Sequence, residues 1–171
     1  PAQQDAMHRL NPGDLVYVPC PEAAFVPGHV VDIGADNTVG IELEPNASGE
    51  REQRRVPHAE VLQRFAHANG STSQDNTSLM HMNAATILEN LRLRHRQDQI
   101  YTYTASVLLA VNPYKEISGL YGEDQCERYR GKHIGALPPH PYAISDTAYR
   151  ALVRERKNQA LLISGESGVG K

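Results

Sequence analysis

The chain closes on Gly165-Glu166-Ser167-Gly168-Val169-Gly170-Lys171, a G-x-x-x-x-G-K pattern, directly after the apolar run Ala160-Leu161-Leu162-Ile163-Ser164. Few short patterns constrain a fold as strongly. An apolar strand entering a glycine-rich loop that ends in lysine is the layout in which backbone N–H groups converge on nucleotide phosphates. The pattern predicts a buried strand over 160–164 and a phosphate-binding loop over 165–171 within an α/β P-loop fold. Lys171 would reach the β- and γ-phosphates, which makes it the candidate catalytic residue. The Ser or Thr that holds Mg²⁺ follows that lysine in the complete pattern, so no metal ligand is assigned within the chain. Glu166 would repel a bound phosphate and is expected to turn away toward a basic group, while Ser167 is expected to satisfy the loop backbone. The competing reading is a flexible glycine-rich tail. The helix that completes such an anion site should follow the loop, and the chain reads as the front piece of a larger nucleotide-driven protein.

Composition narrows the class. The 171 residues suffice for one ordinary domain or two small ones, and 40% hydrophobic with 22% charged residues suits a globular protein in water. No apolar run approaches a membrane span, and no signal-peptide pattern opens the chain, which begins with Pro1 and is expected to be incomplete there. The net charge of −3 is mixed along the sequence, so no nucleic-acid footprint stands out. The short basic stretch Arg92-Leu93-Arg94-His95-Arg96 falls at a predicted helix end, where cations favour the dipole. Eight histidines form no zinc-type spacing, and no metal site is expected among them. Cys20 and Cys126 stand in unrelated contexts, which favours ordinary thiols in a reducing compartment.

Between its ends the chain changes character once. Residues 1–10 are polar and expected to be disordered. Leu15–Val18, Gly28–Ile33, Thr38–Leu43 and Arg54–Val56 read as short strands separated by Pro and Gly-Ala-Asp-Asn turn signals. Together they predict a small β-barrel or sandwich over 11–64. Residues 65–76 have a linker composition, which places a boundary there before a second region, 77–171. Asn83 reads as an N-cap for a helix whose apolar face is Ala84, Ile87, Leu88 and Leu91, ending near His95. Ile100–Thr104 and Ser106–Val111 read as adjoining strands, the second apolar enough to be buried on both faces. Asn112-Pro113 opens an irregular loop to Tyr121, Glu123–Tyr129 reads as a short helix, and a longer helix is expected over 142–156.

From residue 83 onward the chain resembles the myosin motor head. The resemblance rests on the order and spacing of Asn90-Leu91-Arg92-Leu93-Arg94, Ile100-Tyr101-Thr102-Tyr103-Thr104, Ala110-Val111-Asn112-Pro113-Tyr114-Lys115, Tyr129-Arg130-Gly131-Lys132, Pro138-Pro139-His140, Ala148-Tyr149-Arg150 and Asn158-Gln159 before the terminal loop. More weakly, 11–64 resembles the SH3-like barrel that precedes many myosin motors. The 23–30 stretch is similar to that of the class V and class XI members, and the spacing of the 112–121 loop to that of class XI.

This resemblance implies the N-terminal portion of an α/β P-loop NTPase motor domain, a mixed sheet with flanking helices, preceded by an all-β SH3-like barrel. It implies an adenine pocket lined by Asn112, Pro113, Tyr114, Lys115 and Tyr121, with Gly165 to Lys171 on the phosphates. Without it, Asn-Pro reads first as ordinary turn chemistry. The implied cofactors are ATP and Mg²⁺. The implied partners are actin filaments and, through a lever arm, light chains or calmodulin, in a cytoplasmic, cytoskeletal setting. Hydrolysis would be in-line attack by water, with switch segments downstream of Lys171, so the chain alone is expected to be inactive. Three departures from the family pattern stand out: Val169 in place of Ala, Ala105 in place of Gly, and Pro141-Tyr142 after Pro-Pro-His. The alternatives are another P-loop NTPase, or an SH3-like interaction module on a degenerate motor.

Overall fold

The structure, a computed structural model, describes residues 9–46, 48–64 and 71–167. Its contacts divide the chain into two compact units, Pro1–Asn69 with Met80–Thr86, and Gly70–Leu79 with Ile87–Lys171.

The first unit is an antiparallel sheet of β1 (Leu15–Cys20), β2 (Ala24–Ile33), β3 (Thr38–Leu43), β4 (Gln53–Pro57) and β5 (Leu62–Gln63), in the order β4-β3-β2-β1-β5. Alternation sets its core. Val16 and Val18 of β1, Val30 of β2, and Val39, Ile41 and Leu43 of β3 pack together with Leu10. Each such side chain contributes about 1.5–3 kcal/mol on burial. Gly28 is required where β2 crosses β3, because a Cβ there would sit 2.7 Å from the Glu42 carbonyl oxygen. Pro19 does not end β1. It pairs with Phe25 near the strand end, where a missing N–H is tolerated. Leu10, at the close of the stretch expected to be disordered, is buried, and β5 is too short for periodicity to reveal.

Asn83 caps the next helix, α1 (Ala84–Arg96), in a reciprocal arrangement. Its Oδ1 accepts from the Thr86 N–H at 3.0 Å, and its own N–H donates to Thr86 Oγ1 at 3.1 Å. That pairing satisfies two of the donors a helix start leaves orphaned.

The second unit holds most of α1, a hairpin of β6 (Tyr101–Thr104) and β7 (Val107–Ala110), and helices α2 (Glu123–Tyr129) and α3 (Pro141–Glu155). The apolar face expected on α1 is not its most buried one: Ala84 is exposed and Ile87, Leu88 and Leu91 are half-buried. The buried stripe is Thr86, Asn90 and Arg94, one residue per turn. Asn90 donates to the Ser73 carbonyl at 3.0 Å and to Asn76 Oδ1 at 2.8 Å, and accepts from the Ser73 N–H at 2.8 Å. Asn76, fully buried, donates in turn to Thr104 Oγ1 at 2.9 Å. Asp75 bridges to Tyr103, so residues 73–76, within the stretch read as a linker, are tied to β6.

The turn between β6 and β7 places Ala105 at φ +53°, a left-handed conformation that glycine adopts more cheaply. Its N–H donates to Asp75 Oδ1 at 3.2 Å, which partly offsets the strain. β7 is not buried on both faces, and Val107 is 56% exposed. Among the described residues it pairs only with β6, and a two-stranded hairpin has no flanking strands to enclose it. On α3, Pro141 occupies the first helical position and His140 the cap, where Nδ1 accepts from the Tyr142 N–H at 3.1 Å.

The buried strand expected over 160–164 is absent. Residues 157–166 form no helix or strand, and Leu162 and Ile163 are 94% and 75% exposed. An apolar strand of that kind is held by neighbours on both sides. Every strand pairing among the described elements is antiparallel and none includes this segment.

Candidate functional site

Beyond β7 the backbone makes one more ladder bond, Val111 N–H to the Ile100 carbonyl at 3.0 Å, and then turns. Asn112 forms the turn. Its Oδ1 accepts from the Tyr114 N–H at 2.8 Å, an Asx turn that Pro113 stiffens by fixing φ. Its carbonyl accepts from His95 Nε2 at 3.0 Å, which ties the loop to the last turn of α1. Lys115 is held by Asp98 at 2.6 Å, just past the same helix. Tyr114 takes a left-handed φ of +52° and is 86% exposed.

The loop and the hairpin enclose a cavity of about 300 Å³, with Ile100, Tyr101, Val111, Ile117 and Leu120 among its walls. That volume lies at the lower end of the range for small-molecule pockets. Of the five residues expected at a base pocket, Asn112, Pro113, Lys115 and Tyr121 line this cavity and Tyr114 does not. The side-chain amide of Asn112 is partly committed to its own turn, and the ammonium of Lys115 to Asp98. With those groups committed, Pro113, Ile117, Leu120 and Tyr121 leave apolar and aromatic surface beside the Glu116 carboxylate, and that surface can take the flat face of a heterocycle.

Tyr121 is positioned by an aromatic cluster that the sequence reading missed. Its hydroxyl pairs with that of Tyr101, and its ring lies 5.7 Å from His140 and 6.5 Å from Tyr142. His140, buried, stacks on Tyr129 at 4.9 Å and 25°. Nδ1 of His140 accepts from the Tyr142 N–H while Nε2 donates to the Leu120 carbonyl at 3.0 Å, so the ring is neutral with its proton on Nε2. Burial pushes its pKa below the usual histidine range in the same sense. Burial, reinforced by the Tyr121 hydroxyl, raises the Tyr101 phenol far above its ordinary value. The signal for His140 is faint. Pro-Pro-His-Pro reads as a rigid turn, and only its place before a helix-starting proline marks it as a cap.

At the other end of the expected site, Gly165, Glu166 and Ser167 are exposed and belong to no strand or helix. Gly168, Val169, Gly170 and Lys171 lie outside the described residues. Among the described residues no group of three or more His, Cys, Asp or Glu side chains is placed to hold a metal, and no helix is long and apolar enough to cross a membrane.

Residues 73–171 match the family described as "Myosin head (motor domain)". Over 164 residues, 95% of the chain and 12% of the relative, the chain is 39% identical to unconventional myosin-VI of Bos taurus. It is 37% identical over 163 residues, again 95% of the chain and 12% of the relative, to myosin heavy chain 95F of Drosophila melanogaster. It is 38% identical over 164 residues, 95% of the chain and 10% of the relative, to Myosin-8 of Arabidopsis thaliana.

Proposed function

The chain belongs to the myosin motor-domain family, and from that premise we propose that it supplies the nucleotide-base pocket and the phosphate loop of an actin-based motor ATPase. It spans about 12% of the length of the myosin-VI relatives it matches, so the activity is that of a longer protein. The observation that carries the reading is the 300 Å³ cavity lined by Asn112, Pro113, Lys115 and Tyr121. It lies some fifty residues ahead of the G-x-x-x-x-G-K pattern in sequence.

In this reading the adenine of ATP enters the cavity against Tyr121 and Pro113, and Asn112 and Lys115 set the loop's shape rather than the ligand's charge. Tyr114 contributes backbone, since its side chain faces solvent. Gly165 through Lys171 cradle the phosphates, with Lys171 on the β- and γ-groups and Glu166 turned outward. Mg²⁺ would neutralise charge on the phosphates, held by a Ser or Thr such as follows the lysine in the complete pattern. Hydrolysis by in-line attack of water then depends on positioning and on charge stabilisation more than on covalent chemistry by the protein. Actin filaments are the track, with light chains or calmodulin on a lever arm, in the cytoplasm at the cytoskeleton. The P-loop NTPase fold proper is part of this proposal, as is the division at 65–76 between residues 11–64 and 77–171.

The five-stranded sheet fits an SH3-like barrel, supported by the short 3-10 turn His58–Glu60 between β4 and β5. A structural role suits it better than capture of proline-rich peptides. Tyr17, one of its few aromatics, is buried, and the Arg64 guanidinium lies 5.3 Å over its ring. Such a peptide groove needs exposed aromatic faces.

The test is the ATPase of the longer protein carrying this chain, measured with and without filamentous actin. Activation by actin is expected, with Tyr121→Ala raising KM for ATP more than it lowers kcat. ATP binding without any actin response would sink the motor reading.

A further inference from the structure

A second cavity, of about 260 Å³, shares Ile100, Tyr101, Gly119 and Leu120 with the first and is lined on its other side by Arg94, Arg128, Gln99, Gln125 and His140. Arg94 is the anomaly. It is 3% exposed, yet among the described residues it makes no ion pair. Its three partners are neutral: Nε donates to Thr102 Oγ1 at 2.8 Å, Nη1 to Gln99 Oε1 at 2.9 Å, and Nη2 to the Tyr101 carbonyl at 2.8 Å. A guanidinium carries five N–H donors, so two are left over. Burying a cation without an opposite charge is expensive, and buried charges in folded proteins are normally paired. Arg128 on α2 is a second cation on the same wall, also without an ion pair among the described residues. One carboxylate borders the cavity, that of Asp98, and it is already engaged by Lys115 at 2.6 Å.

We propose that this cavity is a carboxylate-binding site, in which a carboxylate supplied from outside the described residues pairs with Arg94 and is approached by Arg128. The planar fork of arginine suits bidentate pairing with a carboxylate. The volume is many times the ~30 Å³ share of a water, so the site admits a short acidic side chain or a small dicarboxylate. Gln125, whose amide nitrogen donates to the Gly119 carbonyl at 3.0 Å, adds a polar wall. Because the two cavities share Tyr101 and Leu120, an occupant here touches residues that also border the first cavity. The inference stands whether or not the first cavity holds adenine.

The experiment titrates the whole chain with malonate, with N-acetyl-glutamate N-methylamide and with sodium chloride, following side-chain guanidinium and amide resonances by NMR. Saturable shifts at Arg94 and Gln125 with either carboxylate, and none with chloride at equal ionic strength, are expected. Binding of both carboxylates points to a free small dicarboxylate, and binding of the blocked glutamate alone points to a protein side chain. Arg128→Gln, on an exposed face, should weaken binding at least tenfold with an unchanged circular dichroism spectrum. Arg94→Lys should keep the fold's charge and lose most of the affinity. No saturable binding of either carboxylate, or affinities unchanged in both variants, would overturn the proposal.

Discussion

In the five-stranded sheet the interior is hydrocarbon: Leu10, Val16, Val18, Val30, Val39, Ile41 and Leu43 meet with no polar side chain among them. In the helix and hairpin unit the most buried side chains include Asn76, Asn90, Arg94, Thr102 and His140. The first interior is held by area removed from water, which is non-directional and forgiving of shape. The second is held by hydrogen bonds whose partners are individually specified. Satisfied, such a network fixes one arrangement; with one member missing, its neighbours are left as buried orphans. The unit that carries the candidate site is thus the more exacting of the two.

The contrast is sharpest at Asn90. Asn90→Leu preserves volume but strips partners from the Ser73 N–H, the Ser73 carbonyl and Asn76 Oδ1. It is expected to cost about 3–4 kcal/mol. All but Tyr17 of the eight tyrosines lie outside the sheet, and there is no tryptophan, so urea unfolding followed by tyrosine fluorescence reads the second unit. A loss under about 1 kcal/mol would mean the polar interior is no more exacting than the apolar one.

His140→Ala removes the α3 cap and the bond to the Leu120 carbonyl, for an expected cost of about 2–3 kcal/mol. The wild-type residue also predicts a pH dependence. Its folded pKa is depressed by burial, so the unfolded chain takes up the proton first. The stability due to this group is complete above the unfolded pKa, about 6.5, and is lost as pH falls through that value toward the folded one. Unfolding at pH 7.5 and pH 5.5 should show this loss in wild type and not in His140→Gln. Equal slopes in the two would remove the histidine from the account.

In the sheet, Ile41→Val is expected to cost only about 1 kcal/mol, since one methyl group leaves a small void in an apolar surround. Hydrogen exchange of β3 amides measures it locally, and a loss above about 3 kcal/mol would contradict a forgiving core. The smallest effect is at the hairpin turn. Ala105→Gly relieves a φ of +53° and should stabilise by about 0.5–1 kcal/mol, read as a raised urea midpoint. Destabilisation would show that the methyl group packs more favourably than the strain it carries.

The same division decides what a reader of the sequence can see. Alternation places β3 at its observed ends, and the Gly-Ala-Asp-Asn cluster marks its entry, because an apolar face writes itself with period two. Proline placement and acidic residues in a first turn likewise mark α2 and α3. A polar interior leaves no such trace. Thr86, Asn90 and Arg94 recur every four residues, yet periodicity arguments score them as a solvated face and select Ile87, Leu88 and Leu91 instead. Arg94 in particular reads as a cation favouring the helix dipole, whereas it is clamped onto β6 through Thr102 and Tyr101. The strand expected over 160–164 fails for a different reason, since apolar residues specify a buried strand only when other strands enclose it. At the candidate site, Asn112, Pro113, Lys115 and Tyr121 are reachable from sequence through their motif, while Tyr101 and His140 come to light only through the rings they meet.

The loop from Asn112 to Tyr121 begins with two fastenings to one short piece of chain, His95 to the Asn112 carbonyl and Asp98 to Lys115. Both anchors sit within four residues at the end of α1. A rotation of that final turn would carry Asn112 and Lys115 with it, as a crank turns an axle, while Tyr121 is held separately, by His140 and Tyr101.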